Sequence, residues 1–375
     1  MLYYLYMSLM KLIYDSSDNS PDLFYACKFK APDPIVYFQF RGKSHLVLND
    51  LEIDRGNAEA KVDKVLNLRE FAEDDKKISI TSVLKNIIKA YKPEKIQVPY
   101  NFPSYLFKEL KESYKNIEPS SETMFYKKRL IKDNIETKNI HEVMKKTESV
   151  LSKIAKIIKT SKIRNGKLYY NARILTSDFL RNFCQKELAE LNLSCPDCII
   201  ASGYHSSLPH HHGSGPIKES SPIVVDIFPK DLNNGYYGDI TRTFCKGTAS
   251  KDLIKMYKTV LKGQRLGLKL IKAGVNGSLV HKKIENQFNE RGFFTSHTEK
   301  GSQGFIHSTG HGLGLEIHEI PRISKIKEIL REGNIVTVEP GLYYSEIGGV
   351  RIEDTILVTK TGIKNLTSFP KVLTL

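Results

Sequence analysis

Five residues in the C-terminal half of the chain place the strongest constraint on what it can fold into. They are four carboxylates and one imidazole, each in a strand-like or glycine-rich stretch: Asp226, Asp239, His311, Glu339 and Glu353. Four carboxylates in one buried pocket would repel each other, and some would have to bind protons. Two divalent cations would neutralise them. The sequence therefore predicts a site for two metal ions and, with it, a hydrolase.

Two hairpin patterns bring the four acids together in pairs. The turn 233–235 has the sequence Asn-Asn-Gly, and an Asn-Gly step is a strong hairpin signal. Folding about this turn predicts that Asp226 and Asp239 lie opposite each other on neighbouring strands, about 4.5–5.5 Å apart at Cβ. A second ribbon, folded about a glycine-containing turn, places Glu339 opposite Glu353 in the same way. Each pair could hold a cation between its strands.

Neighbouring residues complete the predicted site. Thr241 comes two residues after Asp239, and Arg351 two residues before Glu353, so strand alternation puts each on the same face as its acid. From there each side chain can orient that acid as a metal ligand. His311 is flanked by glycines, which disfavour a helix and let the backbone approach an ion closely.

Length and composition favour an ordinary soluble globular protein. The 375 residues are enough for two domains, with 40% hydrophobic and 26% charged residues. A net charge of +15 could indicate a nucleic-acid partner. However, the excess is mostly lysine, scattered along amphipathic segments, and no RNA-binding motif accompanies it. A lysine-rich solvated surface is the preferred interpretation, and no nucleic-acid partner is expected.

The cysteines and the N-terminal segment bear on where the protein works. Five cysteines, an odd number, favour a reducing compartment over a disulfide framework. Cys195 and Cys198 form a lone CxxC sequence, which reads as a loop entering a strand rather than a zinc or redox site. The apolar segment 1–14 is too short to span a bilayer and lacks signal-peptide features, with Met7 an alternative start. We expect a cytoplasmic protein with no membrane partner.

Periodicity divides the chain into two domains, expected over residues 1–130 and 131–375. The first alternates strands and helices, with strand-like runs at 35–40, 45–48 and 95–98 and helices at 83–91 and 101–114. The second has helices predicted over 140–158, 176–191, 250–274 and 278–292, with Ser250 and Ser278 as N-caps. Its predicted strands are 198–202, 223–228, 236–245, 304–309, 313–317, 334–339, 341–345 and 350–358. This is an α+β architecture.

The chain resembles the pita-bread metallopeptidases, specifically their Xaa-Pro aminopeptidase and prolidase branch. The matching stretches are Leu208-Pro-His210-x-x-Gly213-x-Gly215, Val225-Asp226-Ile227-Phe228, Gly238-Asp239-Ile-Thr241-Arg-Thr-Phe244, His307-x-x-Gly-His311-Gly-x-Gly-Leu-Glu-Ile-His318-Glu, Val338-Glu339-Pro-Gly-Leu-Tyr343 and Gly349-Val-Arg351-Ile-Glu353-Asp354. The resemblance is strongest over residues 195–360. It implies an α+β pita-bread catalytic domain preceded by a smaller, creatinase-type α/β domain.

The resemblance also implies an activity and a set of metal ligands. The implied enzyme is an aminopeptidase that releases the N-terminal residue from peptides with proline second, through a hydroxide bridging two divalent metals. Asp226 would bind one ion through both oxygens, Asp239 and Glu353 would bridge, and His311 and Glu339 would complete the other. Oxygen-rich ligation favours Mn²⁺, with Co²⁺, Zn²⁺ or Fe²⁺ as alternatives.

Further residues receive roles in catalysis and substrate binding. Glu339 is the candidate acid–base residue, and His318 and His210 would stabilise the oxyanion and the substrate backbone. His307 would line the site. Arg322 would hold a substrate carboxylate or be an ordinary surface arginine. A homodimer is expected by resemblance.

Four alternatives stay open. A prolidase restricted to Xaa-Pro dipeptides shares the catalytic motifs and differs in the loops that close around the substrate C-terminus. A methionine aminopeptidase would not need the additional N-terminal domain. A non-catalytic pita-bread protein that binds RNA or another partner would have lost metal ligands, and here none is missing. A creatine-type amidinohydrolase would not need the full metal set.

Overall fold

The computed structural model describes residues 8–73, 78–299 and 301–375. The alternative start at Met7 therefore lies outside the described residues. The chain divides into two compact units, Met1–Arg129 and Leu130–Leu375. The division falls within a short 3₁₀-helix, Lys127–Leu130.

Over its described residues, the N-terminal unit is built on a mixed six-stranded sheet with the strand order β4-β3-β2-β1-β5-β6. Its strands are β1 (Leu9–Asp15), β2 (Ile35–Phe40), β3 (Lys43–Leu48), β4 (Lys64–Asn67), β5 (Lys95–Val98) and β6 (Ile117–Pro119). Its helices are α1 (Pro21–Cys27), α2 (Ile53–Glu59), a 3₁₀ turn (Leu68–Phe71), α3 (Ile80–Tyr91) and α4 (Ser104–Ser113). Arg41 and Gly42 turn β2 into β3 with positive φ angles of 49° and 75°, which suits a tight hairpin.

In the described part of the C-terminal unit, four helices pack against several small sheets. The helices are α5 (Asn134–Thr160), α6 (Ser177–Ala189), α7 (Lys251–Leu270) and α8 (Gly277–Asn289), with a 3₁₀ turn at Gly203–Ser207. The early strands are β7 (Lys162–Arg164), β8 (Lys167–Tyr170), β9 (Arg173–Ile174), β10 (Leu193–Ser194), β11 (Ile199–Ser202), β12 (Pro222–Ile227), β13 (Lys230–Asp231) and β14 (Ile240–Cys245). The later ones are β15 (Ser296–Thr298), β16 (Gly301–Gln303), β17 (Gly310–Gly312), β18 (Glu319–Ile323), β19 (Ile335–Val338), β20 (Gly341–Tyr344), β21 (Gly348–Arg351), β22 (Asp354–Val358) and β23 (Ile363–Asn365).

Two of these sheets carry the residues of interest. One has the order β11-β12-β14, and the other β18-β17-β19-β22-β23. Helices α7 and α8 cover the second sheet, since Val260 and Phe288 share one buried cluster with Val336 and Val338. Each such side chain stabilises the fold by about 1.5–3 kcal/mol on burial. The apolar stripe predicted on the long helix is also buried, from Ile140 to Ile158.

Several predicted boundaries are wrong. The stretches 304–309 and 313–317 are not strands; pairing occurs instead at β17 and β18, because residues 313–318 form a loop between them. The predicted strand 236–245 begins only at Ile240, and 350–358 is interrupted after Arg351. Asn276, not Ser278, caps α8, since its side chain accepts a hydrogen bond from Ser278 N. Ser250 caps α7 as predicted.

The cysteines and the helices give two further observations. Cys27, Cys184, Cys195, Cys198 and Cys245 are all buried and free. Cys198 directly precedes β11, which confirms the loop-to-strand interpretation of the CxxC stretch. Within the described ranges, no helix combines the length and the apolar character needed to cross a bilayer.

Candidate metal centre

The first acid pair lies on the β12–β14 ribbon in a register that differs from the prediction. Asp226 pairs with Thr241, not with Asp239. The connection is a longer turn than the Asn-Gly step suggested, because Asp231 Oδ1 accepts from the amides of residues 233 and 234. Gly235 then closes the turn with a φ of 77°. Asp239 is consequently a diagonal neighbour of Asp226, on the same face as Thr241.

The second acid pair occupies a gap between two paired segments of one ribbon. On one side of the gap Val338 pairs with Asp354, and on the other Gly341 pairs with Arg351. Both pairs belong to the same register, so Glu339 and Glu353 face each other across the ribbon, as the sequence predicted. In this gap the amides of Glu339 and Glu353 donate to the carbonyl oxygens of Thr309 and Thr241 instead of to each other's strand, and Glu353 is only 2% exposed.

His311 lies on the neighbouring strand β17, and its Nδ1 atom is already hydrogen-bonded within the protein. Its Nδ1 lies 3.0 Å from the Gly312 carbonyl oxygen, which can only accept, so Nδ1 carries the proton. Nε2 is therefore left with its lone pair, 3.7 Å from Asp239 Oδ2 and 3.4 Å from Glu339 Oε1. A Cβ at Gly310 would stand 2.0 Å from the Thr337 carbonyl oxygen, so the close approach of β17 requires glycine there.

The five predicted ligands converge on one cavity of about 330 Å³. Ligand atoms of Asp239, His311 and Glu353 all lie within 4.8 Å of one another. The cavity is lined by Ile199, Pro209, His210, Asp226, Phe228, Asp239, His307, Ser308, His311, Ile317, His318, Arg322, Glu339, Arg351 and Glu353. Every residue predicted for the site except Thr241 is in that set.

Three of the carboxyl groups in the cavity have raised pKa values, because they are buried close to one another without enough positive charge nearby. Burial, followed by the charge of Glu353, raises the pKa values of Asp239 and Glu339 well above their ordinary range. Burial and the charge of Asp226 raise the pKa of Glu353 to about 8. Asp226 Oδ1 is buried and accepts no hydrogen bond from any residue that the structure describes. The donor set, oxygen-rich with one bare imidazole nitrogen, therefore fits hard or borderline divalent cations.

The metal-free protein is expected to lose stability as the pH rises from about 6.5 to 8. An unfolded Glu releases its proton near 4.3, whereas Glu353 in the fold keeps its proton up to about 8. Between these values the folded state holds more protons, so the free energy of unfolding falls with rising pH. One such group contributes up to about 1.4 kcal/mol per pH unit. Denaturant unfolding of chelator-treated protein measures this slope.

The buried histidines do not affect the pH dependence of the free energy of unfolding between pH 6.5 and 8. Burial lowers the pKa values of His307 and His311 to about 3. Their contribution to the free energy of unfolding rises with pH, but only up to the ordinary histidine pKa of about 6.5. Bound cations would keep the carboxylates ionised, so metal-loaded protein should show no loss over the same window. A flat profile for the metal-free protein would contradict the raised pKa of Glu353.

Thr241 and Arg351 both contact predicted ligands, but each contacts an acid of the other ribbon and not the acid on its own strand that the alternation predicted. Thr241 Oγ1 donates to Glu353 Oε2 at 2.8 Å. Arg351 donates from Nη2 to Asp226 Oδ2 at 2.6 Å and from Nε to Thr241 Oγ1 at 3.3 Å. These contacts fix the orientation of the Glu353 and Asp226 carboxylates.

Tyr343 extends this network; it ends one of the stretches that match the family but was assigned no role from the sequence. Arg351 Nη1 donates to the Tyr343 hydroxyl at 2.7 Å. The hydroxyl donates to His307 Nε2, 2.9 Å away, because the proton of the His307 ring is on Nδ1. His307 Nδ1 donates to the Ser308 carbonyl oxygen at 2.7 Å. Both ring nitrogens of His307 are thus engaged within the protein. Strand alternation from Glu339 to Tyr343 was the signal that could have found the tyrosine.

The other predicted histidines and Arg322 lie at the cavity wall. His318 packs its ring edge-on against His311, with centroids 4.4 Å apart, and burial followed by the charge of Arg322 lowers its pKa. Within the triple histidine 210–212, His210 alone lines the cavity. His211 instead stacks on His205 at 4.0 Å.

Comparison with known proteins agrees with this geometry. Residues 138–360 match the family model of metallopeptidase family M24. The chain belongs to metallopeptidase family M24. Among M24 relatives, the Xaa-Pro dipeptidase of Pyrococcus horikoshii is 42% identical over 173 residues, which cover 46% of each chain. A putative Xaa-Pro aminopeptidase of Mycoplasma genitalium is 38% identical over 168 residues, 44% of this chain and 45% of that one.

A solved M24 structure extends the similarity to nearly the whole chain. The Xaa-Pro dipeptidase from Bacillus anthracis superposes with a TM-score of 0.80 at 27% identity, covering 98% of this chain and 95% of that chain. This confirms the predicted α+β pita-bread fold with its smaller N-terminal α/β domain. In sequence, however, the matches to the two M24 relatives above span about half of their length.

Proposed function

We propose that this M24 protein hydrolyses peptides with proline at the second position, releasing the N-terminal residue with the help of two divalent metal ions. The observation that carries the proposal is the convergence of Asp239, His311 and Glu353 on one buried point. Asp226 and Glu339 would complete the donor set. The names of the relatives support proline peptides as the substrate class.

The bound ions would supply Lewis acidity to the scissile carbonyl and lower the pKa of the attacking water. The remaining chemistry falls to the side chains. Glu339 accepts the proton of the attacking water and delivers it to the leaving nitrogen. His318 and His210 donate to the developing oxyanion and the substrate backbone.

His307, in contrast, lines the cavity without taking part in proton transfer. Its two nitrogens bond to Tyr343 and to the Ser308 carbonyl oxygen, and burial and Arg351 lower its pKa to about 3. It therefore stays neutral and offers no free proton at working pH. The apolar residues Ile199, Pro209 and Phe228 line the same cavity and suit a pyrrolidine ring, which has no N–H to satisfy.

A substrate panel tests the proposed function. Xaa-Pro dipeptides, Xaa-Pro-Xaa tripeptides and matched peptides with alanine for proline are offered to the purified protein, first stripped of metal and then given Mn²⁺. Metal-dependent cleavage of the longer proline peptides supports an aminopeptidase, whereas cleavage of dipeptides alone supports a prolidase. Absence of cleavage despite stoichiometric metal binding would overturn the substrate class.

The prolidase is kept as the second candidate because of Arg322. This exposed arginine lines the cavity and would meet the free carboxylate of a dipeptide. Arg322→Ala is expected to raise KM for Xaa-Pro dipeptides about 10–100-fold, as the loss of a charge-assisted hydrogen bond would. Tripeptide amides should be little affected. Arg331→Ala removes another exposed arginine and is the matched control; equal effects of both variants on dipeptides would exclude the role.

Other features stay predictions of the sequence. Mn²⁺ is the metal that the oxygen-rich donor set favours, and competition with Co²⁺, Zn²⁺ and Fe²⁺ would test it. A homodimer, a cytoplasmic location and the absence of a nucleic-acid partner are likewise proposed. Sedimentation of the purified protein with and without RNA would test two of these three.

A further inference from the structure

A buried ion pair joins the segment before α5 to the residue that follows His318. Lys132 Nζ lies 2.7 Å from Glu319 Oε2, and the two side chains are only 2% and 1% exposed. Isolated charges are rarely buried this deeply without a partner. Neither residue is among those that line the catalytic cavity, so the pair has no direct contact with substrate to explain it.

The loop 313–318 folds back over the Glu319 carboxylate. The amides of Leu315 and Glu316 donate to Glu319 Oε1 at 3.1 and 3.3 Å. A Cβ added to Gly314 would lie 2.7 Å from both carboxylate oxygens, which shows how closely the loop passes. One carboxylate thus holds two consecutive amides of the loop and passes close to a third position, and Lys132 neutralises it.

The same loop carries two residues of the cavity wall. Ile317 and His318 come at its end and line the cavity, and the His318 ring contacts that of His311. Lys132 is itself held in place, because its backbone amide donates to the Gly333 carbonyl oxygen at 2.9 Å. A side chain on a loop is only as well placed as the backbone that carries it.

We propose that Lys132 and Glu319 are positioning residues that hold the 313–318 loop so that His318 points into the catalytic cavity. The pair acts through His318 and touches neither substrate nor metal. The inference rests on the proposed role of His318 in substrate or oxyanion binding. It adds to that role a physical reason why a loop residue can serve as a catalytic group.

Two variants perturb the loop from opposite sides. Glu319→Gln keeps an acceptor oxygen for the loop amides but removes the charge that Lys132 faces. Gly314→Ala leaves the ion pair chemically intact and pushes the loop away from the carboxylate. Asp22→Asn is the matched control, because Asp22 also pairs with a buried cation, Arg129 at 3.2 Å, and also accepts two backbone amides.

The kinetic test is a double-mutant cycle with His318→Ala. With His318 present, Glu319→Gln and Gly314→Ala should each lower kcat/KM about 100-fold, the loss expected when a catalytic group moves by about 1 Å. In the His318→Ala background each should cost no more than about twofold, the usual error of additivity. Asp22→Asn should change kcat/KM by the same factor whether His318 is present or replaced by alanine. Equal factors for Glu319→Gln in both backgrounds would overturn the proposal.

A structural readout separates this proposal from the proposed function. Crystal structures of the Mn²⁺-loaded wild type, Glu319→Gln and Gly314→Ala are compared. In the two variants the His318 ring should be displaced from the 4.4 Å contact with His311 that the wild type has, with Asp226 and Glu353 unmoved. An unmoved loop in both variants overturns the positioning role, whatever the activity. Wild-type protein that cleaves no proline peptide overturns the proposed function instead, while the displacement of the loop still decides the positioning role. If Glu319→Gln fails to fold, Gly314→Ala carries both measurements.

Discussion

Glu339→Gln is expected to lower kcat by about 1,000-fold or more when the site is fully loaded with metal. General acid–base catalysis contributes about 10²–10⁴-fold, and a glutamine can neither accept the proton of the attacking water nor deliver it to the leaving nitrogen. The amide also replaces a carboxylate oxygen that lies 3.4 Å from His311 Nε2, so one metal ion should bind more weakly. Steady-state kinetics across a Mn²⁺ titration distinguishes the two effects.

The matched control for this variant is Glu346→Gln. Glu346 is exposed in the turn that joins β20 and β21, so the same chemical change there should leave kcat unaltered. Near-native turnover by metal-saturated Glu339→Gln would remove Glu339 from the proton-transfer role. Activity that recovers fully at high Mn²⁺ would reassign it as a ligand alone.

The second ribbon shows what the sequence can predict well. Glu339 and Glu353 are equally spaced from a short turn, and alternating strand residues on both sides leave little freedom in the register. The long helix was equally predictable, because its apolar positions recur at helical spacing over several turns and are all buried. In both regions a local pattern determines the local structure.

The errors occur where the structure depends on a contact that the local pattern does not contain. Asp226 pairs with Thr241 instead of Asp239 because the Asp231 side chain builds a longer turn around Asn233 and Asn234. A side-chain bond of this kind competes with the two-residue hairpin that an Asn-Gly step favours.

The structure of the glycine-rich stretch between His307 and Glu319 was harder still to predict, because glycines do not contribute to a hydrophobic periodicity. The strand predicted there at 313–317 is a loop wrapped round the Glu319 carboxylate. Its counter-charge, Lys132, lies 187 positions earlier in the chain, and a single sequence gives no signal for such a pair. Candidate metal ligands could be identified by their type and spacing, whereas the residues proposed to hold the loop in place required the structure.

Asp239→Asn is expected to stabilise the metal-free protein while weakening its binding of metal. Burial, then Glu353, Asp226 and Glu339, raise the pKa of Asp239, so ionising it in the empty fold costs free energy. Asparagine has the same shape and no charge, and the variant should gain about 1–3 kcal/mol at pH 8, in the range found when buried charges are replaced. The gain should grow as the pH rises, because more of the wild-type carboxyls must then ionise.

The metal affinity of Asp239→Asn should change in the opposite direction. Substitutions that merely orient a ligand cost about 10–100-fold in affinity, so loss of a ligand oxygen that lies within 4.8 Å of those of His311 and Glu353 should cost at least as much. Urea unfolding of chelator-treated protein and calorimetric titration with Mn²⁺ measure the two effects. Asp231→Asn is the control, since its buried carboxylate is satisfied by two amides and Lys146 and its loss should destabilise. A less stable Asp239→Asn would mean that repulsion among the carboxylates does not exist in the metal-free fold, and the case for cations as the charges that complete this site would fail with it.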